Sequence, residues 1–144
     1  DWPASRARRK AFHGVVRDHD GVVVGDVEGA WSAESGFRAM AEHFDREAGA
    51  TAVVCANDHM ALGVLNWLAG EGITVPDEVS VLGFDGLPDG AFYLPPLTTV
   101  AADDRAFGRN LMRRLLRQMG VKSQAVPTRA QLVVRGSTAP PAQA

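Results

Sequence analysis

An α/β fold built on a parallel sheet is what this sequence predicts, from three observations. Short apolar runs at 22–24, 51–56 and 79–84 read as strands, apolar residues at helical spacing fill the intervals between them, and each run ends in a polar or glycine turn. Strands alternating with helices about every 25–30 residues require right-handed crossovers, which put the strands side by side and cover the sheet on both faces.

The elements follow in order. Residues 5–19 carry Ala7, Ala11, Phe12, Val15 and Val16 on one stripe and Arg6, Arg9 and Lys10 on the other, an amphipathic helix. Val22, Val23 and Val24 then predict a short buried strand, closed by Gly25 and Asp26, with a glycine-containing loop to Trp31. Ser32 is placed to cap a second helix, with Ala33, Phe37, Met40, Ala41 and Phe44 inward and Gly49 at its end. The strand at 51–56 runs into Asn57 and Asp58 and a third helix over about 58–70, and the strand at 79–84 is set between Pro76-Asp77 and Asp85-Gly86 turn signals. Beyond Asp85 the rhythm changes. Residues 92–100 hold Pro95 and Pro96, which break regular pairing, so this stretch reads as a crossing segment. A helix over about 103–119 has Phe107, Leu111, Leu115 and Leu116 inward, a polar stretch at 122–128 leads to a last strand at 131–135, and the proline/alanine tail after Thr138 reads as disordered.

Composition narrows the function classes. At 144 residues, 46% hydrophobic and 22% charged, the chain is about one ordinary globular domain. A formal charge of −2 gives no general attraction to phosphate backbones, so any contact with DNA has to come from outside this segment. Cys55 has no second cysteine to pair with and lies in an apolar run, where a thiol behaves as a small buried hydrophobe. No apolar run reaches the ~18 residues of a membrane helix, and the basic start lacks a signal peptide's apolar core, which points to the cytoplasm. Neither membrane association nor a cofactor is expected. Asp58, Asp85, Asp103 and His59 offer acids and a base, but no nucleophile elbow, glycine-rich phosphate loop or metal-ligand spacing accompanies them, and His13, His19 and His43 read as helix-face residues. The expectation is therefore no enzyme and no metal.

Four positions fall together in the strand–helix register: Arg8 in the first helix, then Trp31, Asn57 and Asp85 in the turns after successive strands. In a parallel sheet such turns share the carboxyl rim, where ligands bind. Planar forks of Arg, Asn and Asp match hydroxyls that donate and accept at once, and an indole offers a platform for a C–H face, so the chemistry is that of a sugar site. Each residue also has a purely structural reading. Arg8 can be a solvated charge and Trp31 core; Asn57 and Asp58 can be helix caps, and Asp85 before Gly86 a turn residue.

Four strings carry a family resemblance: EGAWSAESGF at 28–37, ANDHMALG at 56–63, VSVLGFD at 79–85 and YLPPLTTV at 93–100. In order and spacing they resemble the lactose-repressor/galactose-repressor (LacI/GalR) family of bacterial transcription regulators, over nearly the whole chain to about Thr138. The segment SRARRKAF at 5–12 also fits the family pattern, with Ala11 where glycine is usual. The resemblance implies a periplasmic-binding-protein-like effector domain of two α/β subdomains hinged around a sugar, with Arg8, Trp31, Asn57 and Asp85 at effector-contact positions. It implies that residues 1–97 and 129–137 form part of the carboxyl-terminal subdomain. Residues 98–125 would cross to the other subdomain, 138–144 would form a tail, and the helix-turn-helix head would lie outside this chain. It further implies a homodimer or a tetramer, with Leu62, Leu65, Phe92, Tyr93 and Leu94 at the subunit interface, and operator DNA as the partner of the missing head. The function so implied is that of a repressor responsive to a galactoside-like sugar; a periplasmic sugar carrier of a transport system shares the fold and the rim chemistry. Ala102 and His59 stand where the family's namesake has glutamines, which leaves the sugar's identity open.

Overall fold

The structure, a computed structural model, describes residues 2–141. Its frame is a four-stranded sheet in the order β1 (52–54), β2 (80–85), β3 (98–101), β4 (131–133). The first three strands are parallel and β4 runs antiparallel to β3. Helices α1 (3–18), α2 (33–43), α3 (58–70) and α4 (104–118) complete the regular structure.

One layer is well built. Helices α2 and α3 lie on the same face of the sheet and enclose Met40, Met60, Val64, Leu65 and Leu68 with Cys55, Val79, Val81 and Leu97 beneath them. The rings of Phe44 and Trp67, 5.3 Å apart, close its edge. Two glycines set the distance between the helices: a β-carbon on Gly36 would fall on the Met60 carbonyl, and one on Gly63 on the Ala33 carbonyl. Backbone meets backbone there, a contact that any other residue would hold apart. Ser32 caps α2 through the Ser35 amide, as its sequence position predicts. The inward stripe of α2 is Gly36 and Met40 with half-buried Ala33 and Phe44, while Phe37 and Ala41 turn outward. The helix stops at His43, and Gly49, with φ 70°, ends a separate 3-10 turn at 46–48.

The opposite face is open. Val54 is 46% exposed, and α1, which has no buried residue, reaches that side where Arg8 lies over Phe84. The expected cover on both faces is thus present on one. Val22–Val24 is not a strand: Val22 is 81% exposed, and among the described residues the three valines have no strand to pair with. The segment is held instead through Asp26, whose carboxylate accepts from Arg9 Nε at 2.7 Å and from His13 Nε2 at 2.6 Å on α1.

Residues 98–101, expected to leave the sheet, are its third strand, with Thr98 and Thr99 fully buried. Pro95 and Pro96 end the preceding turn, and Thr98–Ala101 after them are free to pair. Thr138 and Ala139 are bonded to Thr98 and Ser80 and so belong to the sheet's margin; of the expected tail, 142–144 lie outside the described residues. Helix α4 forms where predicted, but Phe107, Leu111 and Leu115 are exposed, and only Ala106 is buried.

Candidate effector site at the carboxyl rim of the sheet

The polar residues of the rim divide into those that hold the turns and those left to meet a ligand. Asp58 belongs wholly to the first group. It opens α3, is fully buried, and accepts from the Leu87 amide at 2.7 Å and the Thr99 hydroxyl at 2.6 Å. Gly83 makes room for it, since a β-carbon there would collide with the carboxylate. Asp58 therefore ties α3, the turn after β2, and β3 into one unit.

Asn57 does both jobs. Its Oδ1 caps α3 by accepting from Met60 N at 2.8 Å, and its Nδ2 donates to the Trp31 carbonyl at 3.0 Å. One N–H and one lone pair remain for a ligand. Trp31, whose carbonyl takes this bond, has φ 65°, a left-handed conformation rare for a bulky side chain, and is 40% exposed. Such a backbone costs on the order of 1–3 kcal/mol and persists only where the surroundings over-determine it.

Asp85 ends β2 and also has a positive φ, 109°. Burial pushes its carboxyl above the ordinary carboxylate range, with Asp58 and Asp104 adding to the rise, while Arg8 and His59 oppose it. Arg8 reaches this corner from α1, its guanidinium carbon 4.0 Å from the centre of the Phe84 ring. The four expected residues are thus brought to one rim: Trp31 bonded to Asn57, and Arg8 electrostatically coupled to Asp85. Phe84 and Thr99 escaped the sequence reading. The alternation along β2 places Phe84 on the face opposite Val81, which could have flagged it as the platform for Arg8.

The raised carboxyl has a consequence for stability. A folded-state pKa above the unfolded value favours the protonated form, so stability on this account is present below the unfolded pKa and lost as pH rises through the folded one. Asp85→Asn, whose side chain tolerates positive φ, is expected to melt higher than wild type at pH 7, with the gap narrowing at pH 4.5. Thermal denaturation at the two values checks it; an Asn variant that melts lower at pH 7 contradicts it.

The remaining residues offer little other chemistry. Burial pushes the Cys55 thiol up to about 12, with Asp58 contributing, so it stays protonated and unreactive. Among the described residues no group of three or more His, Cys, Asp and Glu could hold a metal ion, and no helix is long and apolar enough to cross a membrane. Of the expected interface residues, Leu62, Phe92 and Leu94 are exposed and Tyr93 is half-buried, whereas Leu65 is 4% exposed in the core and presents no surface.

Comparison with known proteins shows the family of the fold. A family model described as a periplasmic binding protein-like domain matches residues 1–138. The lactose operon repressor of Klebsiella pneumoniae is 38% identical over 140 residues, covering 94% of this chain and 38% of that protein. The HTH-type transcriptional repressor PurR of Haemophilus influenzae is 36% identical over 100 residues, covering 69% of this chain and 30% of that protein. The Lac repressor dimer bound to operator and the anti-inducer ONPF superposes with a TM-score of 0.82 at 33% identity, over 92% of this chain and 47% of that one. The chain spans about a third of the length of the curated relatives it matches.

Proposed function

The chain belongs to the periplasmic binding protein-like domain family, in the form carried by the lactose-repressor/galactose-repressor group, and from that premise we propose that it is the effector-binding and dimerisation portion of a sugar-responsive transcriptional repressor. The observation that supports the reading is the pair of strained backbones at Trp31 and Asp85, two of the four rim residues, each held at positive φ. A structural cap or turn alone has no need of an indole in that conformation; a platform for a sugar face does. Both named repressors among the relatives, and the operator-bound dimer, favour the regulator over a transport carrier and over an enzyme.

In this reading the sugar is galactoside-like and its hydroxyls meet Arg8, Asn57 and Asp85 while its apolar face lies on Trp31. It closes two subdomains on each other in the cytoplasm and so biases the DNA-binding heads of a dimer. The residues after Ala101, with α4, belong to the second subdomain. Leu62, Phe92, Tyr93 and Leu94 supply the subunit contact, with two copies related by a two-fold axis.

Calorimetry of the intact regulator with galactosides tests the site. Trp31→Ala is expected to weaken binding at least tenfold, about 1.4 kcal/mol. Equal affinity in the variant would remove Trp31 from the site.

A further inference from the structure

We propose that the outer face of α4 is a second DNA contact, in which a row of arginines, continued by Lys122, meets the phosphate backbone of DNA held by the heads. The inference rests on reading the chain as part of a DNA-binding regulator and adds a surface of this chain to that binding.

Charge is sorted along the chain. All 17 acidic residues lie at or before Asp104, against seven lysines and arginines, so residues 1–104 carry a formal −10. Residues 105–144 hold the other eight cations and no acid, a formal +8. A net charge of −2 argues against contact with phosphates only where the two signs are mixed, and here they are separated.

The fold gathers the cations on one side of α4. Arg105, Arg109, Arg113 and Arg117 follow at four-residue steps, a row about 18 Å long, with Arg114 next to it. Phe107, Leu111 and Leu115 each stand two residues further on, about 200° round the helix, and form the opposite, apolar row. In the two-subdomain reading the second subdomain covers that apolar row, which turns the arginines outward. The segment after α4 is tethered back along it: Asn110 exchanges hydrogen bonds of 2.7 and 2.8 Å with the Val126 backbone, and the Ser123 hydroxyl donates to the Arg113 carbonyl at 2.8 Å. Lys122 thereby joins Arg117 on the wall of an open cleft of about 530 Å³.

Nothing in the described chain neutralises this row. Among the described residues Arg105, Arg109, Arg114, Arg117 and Lys122 have neither an ion pair nor a side-chain hydrogen bond, and the buried Nη1 of Arg113 has no acceptor. Guanidinium forks take phosphate oxygens two at a time. A duplex carries one charge per ~1.7 Å of its axis, so it can meet the whole row, whereas a small anion meets one or two members. The heads precede the subdomain to which α4 belongs, so DNA is the polyanion brought to this side of the molecule, which favours it over an acidic protein.

The test is binding of the intact regulator to a mixed-sequence DNA duplex of roughly 40 base pairs, about four helical turns, across a salt series. Arg109→Gln with Arg114→Gln and Arg117→Gln removes three exposed cations and keeps good helix formers. Three lost phosphate contacts should make the slope of log affinity against log salt shallower by about 2–3, and binding at about 50 mM salt at least tenfold weaker. Arg17→Gln with Arg38→Gln and Arg46→Gln removes the same charge from other elements and should leave the slope as in wild type. A smaller change of slope in the α4 variant would overturn the DNA contact and leave the row to an acidic protein. An equal change in both variants would overturn it too, since net charge alone then sets the affinity. A wild type that binds no DNA would overturn the regulator reading and this inference with it.

Discussion

Replacing Asp58 by alanine is expected to cost about 3–5 kcal/mol of stability, the largest loss from any single rim residue. Its carboxylate is fully buried and receives two short hydrogen bonds, from Leu87 N and Thr99 Oγ1. Bonds to a charged acceptor contribute about 1.5–3 kcal/mol each, and the variant leaves both donors without a partner in a dry site. At roughly 3 °C per kcal/mol for a domain of this size, the melting temperature should fall by about 10 °C. Asp58→Asn keeps the shape, can accept from Leu87 and can donate to Thr99, so it should lie between the two. Thermal denaturation of the three proteins reads the order directly, and an alanine variant within 1 °C of wild type would show that the network contributes little.

Gly63→Ala sets two effects of opposite sign against each other. In an exposed helix interior the change stabilises by about 1 kcal/mol. At Gly63 the added methyl falls on the Ala33 carbonyl and against the Phe37 amide, both backbone, so α2 and α3 must separate. Overpacking typically costs 1–3 kcal/mol and more where backbone has to move, so the clash should win by about 2 kcal/mol or more. Gly108→Ala in α4, where the methyl meets nothing within 4 Å, isolates the propensity effect and should be neutral or stabilising. Similar melting temperatures for the two variants would refute the close-packing account of α2 and α3.

Asp58 and Gly63 also mark how far the sequence could be read. Helix α3 was legible to the residue because Asn57 supplies a cap and the apolar stripe that follows has no competing signal. What the sequence could not say is that adjacent polar residues part company, Asn57 half free for a ligand and Asp58 sealed under the Leu87 turn; that depends on Gly83 and Thr99, which come from two other strands. Pairing between distant segments misled the reading at both ends of the sheet. Val22–Val24 has strand composition but no strand partner among the described residues, and Thr98–Ala101 has a partner on each side, although the prolines just before it argue against a strand. The stripe of α4 was read correctly as amphipathic, yet amphipathicity names a face and not what covers it. The register argument holds for Asn57 and Asp85, which follow β1 and β2, whereas Trp31 follows no strand and reaches Asn57 only through its backbone carbonyl. The strained backbones at Trp31 and Asp85 became visible only in the fold.

The central claim is that a sugar held at this rim controls DNA binding, and the most direct measurement is operator binding by the intact regulator, titrated with galactosides, in wild type and Trp31→Ala. A ligand can shift a two-state balance only by its differential affinity for the two states, commonly 1–3 kcal/mol, so the wild-type operator affinity should change by roughly 5–150-fold. The variant should bind operator as wild type does and respond to the sugar only at concentrations raised at least tenfold. Operator affinity unchanged by every galactoside, or a response identical in the variant, would contradict the account.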